Sequence, residues 1–155
     1  MNGWLVAALV LAGVVVVSVR RVRGEVLDLR GLVAVPAVLT ALGLASLVRA
    51  EGLTAADYAL AVPGLLLGLG SGALRGATVR LSVRNGVLHQ HYTVRTFAVL
   101  LLSAATMAGY GVLATRLGLH HEARPTELGL GVSFLGESAV LVLRGPATGT
   151  PFARS

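Results

Sequence analysis

Blocks of apolar residues, separated by short stretches rich in arginine or turn-forming residues, make up most of the chain. They cover residues 4–19, 32–48, 54–74, 96–115 and 128–143. A helix needs about 20 apolar residues to cross a bilayer, within a range of about 17 to 25. The third and fourth blocks have that length, and the first approaches it if its helix continues into the following RRVR. The fifth block contains three glycines and one glutamate and is the weakest candidate.

This pattern predicts an all-α membrane protein, a polytopic bundle of five transmembrane helices, or of four if the last block does not span. Residues 1–155 would then form a single integral membrane domain. The third block has a clear start signal, because Thr54 is followed three positions later by Asp57, the spacing of a capping box. Asp57 also suits the positive end of the helix dipole.

The composition agrees with a membrane protein. Hydrophobic residues make up 55% of the chain and charged residues 13%, whereas soluble proteins contain about 25% charged residues. The mean hydropathy is +0.80. Because the chain has no cysteine, disulfides, thiolate metal sites and c-type haem attachment are excluded for this chain, and we expect no cofactor.

The positive charge indicates membrane topology rather than nucleic-acid binding. The formal net charge is +6, and the thirteen basic residues, all arginines, lie between the apolar blocks. Cytoplasmic loops of membrane proteins carry an excess of basic residues. With the N-terminus outside, Arg49, Arg116 and Arg124 lie outside, and ten arginines lie inside: Arg20, Arg21, Arg23, Arg30, Arg75, Arg80, Arg84, Arg95, Arg144 and Arg154. We therefore predict a multi-pass plasma-membrane protein, with its N-terminus outside and its C-terminus in the cytoplasm.

Glycine recurs at every fourth position of the third block, at Gly64, Gly68, Gly72 and Gly76, which we call the glycine ridge. Part of this run, GLGSGA, matches a dinucleotide-binding fingerprint. That fingerprint needs a βαβ unit and an acidic residue about 20 positions further on, where this chain has Thr93. Between membrane helices, by contrast, small residues allow two backbones to approach closely. We therefore interpret the glycine ridge as a helix-packing surface.

Two other blocks offer small residues as partners for the glycine ridge. The second block contains Ala37, Ala41 and Ala45, and the fourth contains Ala104, Ala105, Ala108 and Gly109. Packing within one subunit and packing between two copies use the same kind of surface. The sequence leaves these two alternatives open.

Residues 77–94 break the membrane pattern and predict a short cytoplasmic β-hairpin between the third and fourth helices. Apolar and polar residues alternate up to Arg84, and Asn85-Gly86 follows, the strongest two-residue signal for a type I′ turn. Pairing outward from this turn places Arg84 opposite Val87. One face is then apolar, with Val79, Leu81, Val83, Leu88 and Tyr92, interrupted by Gln90. The other face, which we call the basic face, carries Arg80, Arg84, His89 and His91.

An isolated two-stranded hairpin is marginally stable in water, so we expect the apolar face to dock on the membrane surface or on helix ends. The basic face is then predicted to contact anionic lipid headgroups or a partner. His89 and His91 share a face as two metal ligands would, but the neighbouring arginines repel a cation, and we predict no metal. We expect His120-His121-Glu122, in an outer loop, to be exposed polar residues.

Glu137 is the ionisable residue that lies inside an apolar block, away from its ends. Such side chains are costly in a membrane and tend to face protein or a cavity, where they often mark function. Glu137 shares a helix face with Gly129 and Ser133, which we expect to point into the bundle. We expect Glu137 to be protonated and hydrogen-bonded to hydroxyl groups of other helices, from Ser103, Thr106, Thr40 or Ser46. It is the candidate catalytic residue, the alternatives being a neutral core group or a residue in water.

The layout resembles that of the CcdC-like family of small bacterial membrane proteins. The resemblance is carried by a first span ending in RRVRG, a proline near the start of the second span, a glycine-rich third span, an RNG hairpin and two further spans. It implies a small multi-pass inner-membrane protein and supplies no catalytic residues. The family takes its name from an association with cytochrome c biogenesis, in which a chain without cysteine would act indirectly.

Three functions are open at this stage. The favoured one is a structural or accessory membrane protein that binds lipid, another membrane protein or a second copy of itself. The second is a small intramembrane enzyme that acts on an apolar or lipid-like substrate, with Glu137 as general acid or base. The third is a proton-coupled transport component that uses Glu137. The first is favoured because the sequence places no second carboxylate, buried histidine or intramembrane arginine beside Glu137.

Overall fold

The computed structural model describes residues 3–120, 123 and 125–153, and the protein is mostly helical. Arg124, Arg154, His121 and Glu122, on which some sequence predictions rest, lie outside the described residues. The helices are α1 (Gly3–Arg23), α2 (Leu29–Arg49), α3 (Ala55–Thr78), α4 (Val94–Arg116) and α5 (Thr126–Arg144), followed by a short 3₁₀ helix (Pro146–Thr148). The strands are β1 (Glu25–Val26), β2 (Arg80–Arg84) and β3 (Val87–His91).

Four helices of the described part of the chain are long and apolar enough to cross a membrane. They cover Leu29–Arg49, Ala55–Thr78, Val94–Arg116 and Thr126–Thr148. The predicted bundle of five is therefore matched in part. The fifth apolar block, the weakest candidate in the sequence, is one of the four. The first block is helical as α1, but the side chains of much of α1 lie outside the described residues.

The helix α5 is the centre of the bundle and packs against both α2 and α3. The helix α3 also packs against α4, while α4 and α5 face each other across a cavity. The chain connections place the end of α3 and the starts of α2 and α4 beside the strands. We call this end of the bundle the sheet end and the opposite end the far end.

The predicted hairpin register is confirmed over the five residue pairs that align β2 with β3, from Arg84 opposite Val87 at the turn to Arg80 opposite His91. The turn has positive φ at Asn85 (52°) and Gly86 (74°), as a type I′ turn requires. The sheet nevertheless has three strands, in the order β1-β3-β2, because Glu25–Val26 pairs with β3. A strand of two residues carries too little alternation to be recognised from sequence.

The apolar face of the sheet packs against helix residues rather than lying free. Val79, Leu88 and Tyr92 form a buried cluster with Leu27, Leu32 and Leu141. This confirms the expectation that the hairpin docks on helix ends. Val83 departs from the expected pattern and is 51% exposed, because it lies next to the turn, at the tip of the hairpin.

Two helix starts have the same local geometry. In α3 the Thr54 and Asp57 side chains form the predicted capping box, in which the Thr54 backbone N–H donates to the Asp57 carboxylate at 2.8 Å. In α4 Thr93 and Thr96 form an equivalent box. Arg144 stabilises the end of α3, since its Nη1 donates to the carbonyl oxygens of Gly76 (2.6 Å) and Val79 (3.0 Å).

Candidate functional site

Glu137 of α5 is 1% exposed and lies in a cluster of charged and aromatic side chains near the sheet end. Arg75 Nε donates to Glu137 Oε2 at 2.6 Å. The Tyr92 hydroxyl donates to Glu137 Oε1 at 2.7 Å, and Arg21 Nη1 donates to the same oxygen. Both carboxylate oxygens are therefore engaged by groups from other elements. We call Arg21, Arg75, Tyr92 and Glu137 the ionic cluster.

The three partners of Glu137 come from the ends of other elements, which meet at α5. Arg21 lies in the last turn of α1 and Arg75 in the last turn of α3, while Tyr92 directly follows β3. The Tyr92 backbone N–H donates to the Arg21 carbonyl at 3.1 Å, which ties the end of α1 to the sheet. The three-stranded sheet thus holds Arg21 and Tyr92 together over Glu137.

The expected hydrogen-bond partners of Glu137 were wrong. Glu137 instead pairs with Arg21 and Arg75. Among the described residues, no hydroxyl of the expected set, Ser103, Thr106, Thr40 and Ser46, bonds to it. The hydroxyls of Thr40 and Thr106 instead bond to carbonyl oxygens of their own helices, at 2.8 and 2.9 Å.

Aromatic rings surround the two guanidinium groups. Phe134 lies between them, with its ring centroid 5.6 Å from Arg21 Cζ and 5.3 Å from Arg75 Cζ. The Tyr92 ring lies 5.3 Å from Arg21 Cζ. These distances are those of cation–π contacts. The rings therefore stabilise the cations in a setting where water is largely excluded.

The ionic cluster carries one positive charge in excess, from two arginines against one glutamate. Tyr92 does not change this sum at neutral pH, because burial and then the neighbouring Glu137 carboxylate raise the pKa of Tyr92 to about 12. Arg21 Nε is buried and has no hydrogen-bond partner among the described residues. The cluster is thus left with unused capacity to donate hydrogen bonds.

Sequence reasoning missed three members of the ionic cluster. Arg21 and Arg75 were assigned to inner loops, and Tyr92 was assigned to the apolar face of the hairpin. A signal for Arg75 was present, since it lies between Gly72 and Gly76 of the glycine ridge. Because the glycine ridge is predicted to contact another helix, an arginine on the same turn lies beside that helix–helix interface. Arg21 offered no comparable signal, because it is one of three arginines at the end of α1.

The glycine ridge lies at close contacts of α3, but its main partner differs from the prediction. A Cβ atom at Gly72 would overlap the Ser133 carbonyl oxygen, and one at Gly76 would lie 2.7 Å from the Glu137 carbonyl oxygen. The partner of this half of the ridge is therefore α5, not α2 or α4. Both helices contribute a glycine to this contact, because a Cβ atom at Gly136 of α5 would overlap the Leu69 carbonyl oxygen of α3.

The other half of the glycine ridge is less tightly packed. A Cβ at Gly64 would lie 2.8 Å from Tyr110 Cε1 of α4, whereas one at Gly68 would make ordinary contacts at 3.7 Å. The helix α5 also meets α2 closely, through Gly131 against Thr40 and Gly43 against Leu128. Small residues thus lie at both interfaces of the central helix.

The basic face of the sheet points away from the helices. Arg80 and Arg84 are exposed, while His89 and His91 are half-buried. His89 Nδ1 donates to the Val87 carbonyl at 3.2 Å. Among the described residues no group of three metal-ligating side chains lies close enough together to hold a metal ion. Arg80 and Arg84 are therefore open to the surroundings, whereas the His91 ring packs against Gly24, just after α1.

The far end contains a second buried acidic side chain, Asp57, which is 1% exposed. Besides its capping box, Asp57 accepts a hydrogen bond from the His120 backbone N–H at 2.9 Å. His120 Nδ1 lies 3.0 Å from both Asp57 oxygens. His120 is 57% exposed, as the sequence predicted, but it serves to tie the loop after α4 to the start of α3.

Two cavities lie on opposite sides of the ionic cluster. One, of about 400 Å³, is lined by α3, α4 and α5 and reaches Arg75 and Ser133. The other, of about 340 Å³, is lined by Arg21, Phe134 and residues of β1 and α2. The ionic cluster therefore forms part of the wall of both cavities.

The four apolar helices and the small docked sheet define the class as a multi-pass membrane protein. Comparison with protein-family models, with curated protein sequences and with solved structures finds no match to this chain. A proposal for its function therefore rests on the residues and contacts described above.

Proposed function

We propose that this chain is an accessory protein of a bacterial plasma membrane that contacts anionic lipid headgroups at the cytoplasmic surface through its basic face. The observation that carries the proposal is the docking of the sheet. Its apolar face is buried against Leu27, Leu32 and Leu141, so that Arg80 and Arg84 project from the other side. Juxtamembrane basic groups are attracted to the negative surface of the cytoplasmic leaflet.

The distribution of arginines supports an orientation with the sheet end in the cytoplasm. Arg49 and Arg116 end helices at the far end, whereas nine arginines lie at the sheet end: Arg20, Arg21, Arg23, Arg30, Arg75, Arg80, Arg84, Arg95 and Arg144. A bias of this kind sets the topology of membrane proteins. The resemblance to CcdC-like proteins belongs to the same proposal and stays a prediction.

Because the chain has no cysteine, the orientation can be measured with single-cysteine variants. Glu51→Cys at the far end and Arg84→Cys at the sheet end both replace exposed residues. With a membrane-impermeant maleimide, we expect Glu51→Cys to be labelled in intact cells. Arg84→Cys should be labelled only after permeabilisation, and labelling in the reverse order would overturn the orientation.

The role of the basic face is tested by the double variant Arg80→Ala/Arg84→Ala. The matched control, Arg49→Ala/Arg116→Ala, removes the same charge at the far end. In nanodiscs, we expect anionic lipid to raise the melting temperature of the wild type at low salt, and the increase to shrink at high salt because the contacts are exposed. The basic-face variant should lose this salt-sensitive increase, while the control keeps it. Equal losses would refute the proposal.

A role of Glu137 as acid or base has less support. Both oxygens of Glu137 are engaged by guanidinium and phenol groups, so that accepting a proton from a substrate requires breaking an ion pair. These contacts favour Glu137 as a structural anion that joins α1, α3 and α5. A membrane-protein partner or a second copy remains the alternative occupant of the basic face.

A further inference from the structure

The cavity that reaches Arg75 and Ser133 is a groove between α4 and α5, with α3 as its floor. It has a volume of about 400 Å³. One side is α4, which packs against α3, and the other is α5, which packs against α2 and α3. The helices α4 and α5 are separated from each other along the groove. In a membrane, such a groove opens sideways towards lipid. The basic face, on which the proposed function rests, lies outside this groove.

The groove is polar near the sheet end, mostly apolar in its middle and polar again at the far end. Arg75, Ser71, Ser103 and Ser133 line the polar part near the sheet end, and Met107 and Leu130 line the apolar middle. The outermost part is lined by Thr115, His120 and Pro125. Arg75 is three residues from the end of α3, which at 1.5 Å per residue is about 5 Å. The polar part therefore lies close to one surface of the membrane.

Two features of the polar part indicate an anionic ligand. The ionic cluster has one excess positive charge, and Arg75, which is 4% exposed, faces the groove from it. An uncompensated charge in such a place is strongly unfavourable. Ser103 is 9% exposed and lines the groove. Its hydroxyl is not among the buried unpartnered atoms of the described residues, so it is reached from the groove and can donate a hydrogen bond to a ligand oxygen there.

We propose that this groove binds one membrane lipid with an anionic phosphate headgroup. The phosphate oxygens accept hydrogen bonds from Arg75 and Ser103, and one acyl chain lies along the apolar part of the groove. The headgroup and acyl chain of a lipid follow each other in the same order as the polar and apolar parts of the groove. A headgroup at the depth of Arg75 directs its chain towards the apolar middle of the groove, at Met107 and Leu130.

The test uses two neighbouring alanines of α4 as a matched pair. Both alanines are exposed, but Ala104 lines the groove, whereas Ala105 lines none of the described cavities. Ala104→Phe fills the groove, and Ala105→Phe adds the same side chain outside it. Binding of phosphatidylglycerol to the detergent-solubilised protein is measured by native mass spectrometry, with phosphatidylcholine and inorganic phosphate as the other probes.

We expect phosphatidylglycerol to bind the wild type and Ala105→Phe equally, and Ala104→Phe to bind it at least about tenfold more weakly, since loss of 1.4 kcal/mol corresponds to tenfold. Ser103→Ala, which keeps the groove open, should weaken binding about fivefold, the loss of roughly one hydrogen bond. Phosphatidylcholine and inorganic phosphate should bind more weakly than phosphatidylglycerol.

Three results would overturn this inference: equal binding by the two phenylalanine variants, equal binding of phosphatidylcholine, or inorganic phosphate binding as tightly as the lipid. The last would assign a free-anion site rather than a lipid groove. The variant Arg80→Ala/Arg84→Ala separates this site from the basic face, because it should leave the Ala104-sensitive binding unchanged. The proposals for the lipid groove and for the basic face can therefore be refuted independently of each other.

Discussion

The two ends of the bundle each contain one buried carboxylate, and the two are held by different kinds of group. At the far end, Asp57 accepts hydrogen bonds from the backbone N–H groups of Thr54, three positions away, and of His120, 63 positions away. At the sheet end, Glu137 is bound by Arg21, Arg75 and Tyr92, which are 116, 62 and 45 positions away along the chain. Both side chains are 1% exposed. Burial alone therefore does not distinguish a helix cap from a tertiary joint.

The difference shows what each carboxylate stabilises. Asp57 satisfies backbone N–H groups at the start of α3 and in the loop after α4, so it joins a helix cap to a loop and compensates no buried cation. Glu137 compensates two cations that α1 and α3 bring into the same place. Removing Glu137 therefore leaves buried charge, whereas removing Asp57 leaves N–H groups close to the membrane surface.

The largest effect is expected for Glu137→Gln. The amide keeps the size of the side chain but leaves Arg21 and Arg75 without a counter-charge. Breaking a buried ion pair in this way costs about 3–5 kcal/mol, which we expect as a large fall in melting temperature in detergent. The control is Asp57→Asn at the far end, for which we expect a smaller fall. If Asp57→Asn is the more damaging, the comparison between the two ends is wrong.

An intermediate effect is expected for Gly72→Ala, which adds a Cβ atom against the Ser133 carbonyl. Overpacking of this kind costs about 1–3 kcal/mol. Gly70→Ala is the control, since a Cβ at Gly70 meets nothing within 4 Å. It should be neutral or slightly stabilising because alanine favours helices.

The energetic coupling of Gly72→Ala to each of the two carboxylates gives a further test of the difference between the two ends. Gly72 and Arg75 lie on adjacent turns of α3, so moving α3 away from α5 also disturbs the Arg75–Glu137 pair. Gly72→Ala and Glu137→Gln should therefore be non-additive in melting experiments, whereas Gly72→Ala and Asp57→Asn should be additive. Additivity in both pairs would show that the glycine contact and the ionic cluster are independent.

A smaller effect is expected for Thr54→Ala, which removes the hydroxyl of the capping box at the far end. Loss of such a cap costs about 1 kcal/mol. Thr54→Ser keeps the hydroxyl and should retain most of the stability. Hydrogen exchange of the first turn of α3 should increase in Thr54→Ala and remain slow at the sheet end. Faster exchange at both ends would show that the two regions are not separate.

The smallest effect at neutral pH concerns Tyr92, whose pKa is raised from 10.0 to about 12 by burial and by Glu137. Because the folded state holds the phenol proton more tightly, this stabilisation is complete below pH 10 and is lost as the pH rises to about 12. Phenolate absorbance of the wild type minus that of Tyr92→Phe should therefore appear above pH 11. A difference already present below pH 10 would contradict the burial of this hydroxyl.

The local features of the fold could be predicted from the sequence. The hairpin register follows from Asn85-Gly86 and from the alternation of residues around it, because both act over a few positions. The capping box of α3 is a relation between residues three apart. In each case the interacting groups are neighbours in the chain, so that their spacing specifies the contact.

The partners of Glu137 and of the glycine ridge could not be predicted in this way. Gly72 could pack on any helix with a small-residue surface, and the sequence offers several. The choice of α5 depends on how Gly136 and Ser133 fit against α3 in three dimensions. Arg21 reaches Glu137 because β1 places the end of α1 beside β3. That strand has two residues and leaves almost no trace in the pattern of hydrophobicity.

The joint at Glu137 has a consequence for biosynthesis. Its cations arrive with α1 and α3, and its anion arrives with α5, the last of the five helices to leave the ribosome. Until then Arg21 and Arg75 have no acidic counterpart at this position, and the early helices are favoured to keep those groups in the lipid headgroup region. Insertion of α5 therefore completes the charge balance and fixes the earlier helices at the same moment, so that a chain truncated before α5 should be cleared by membrane proteases.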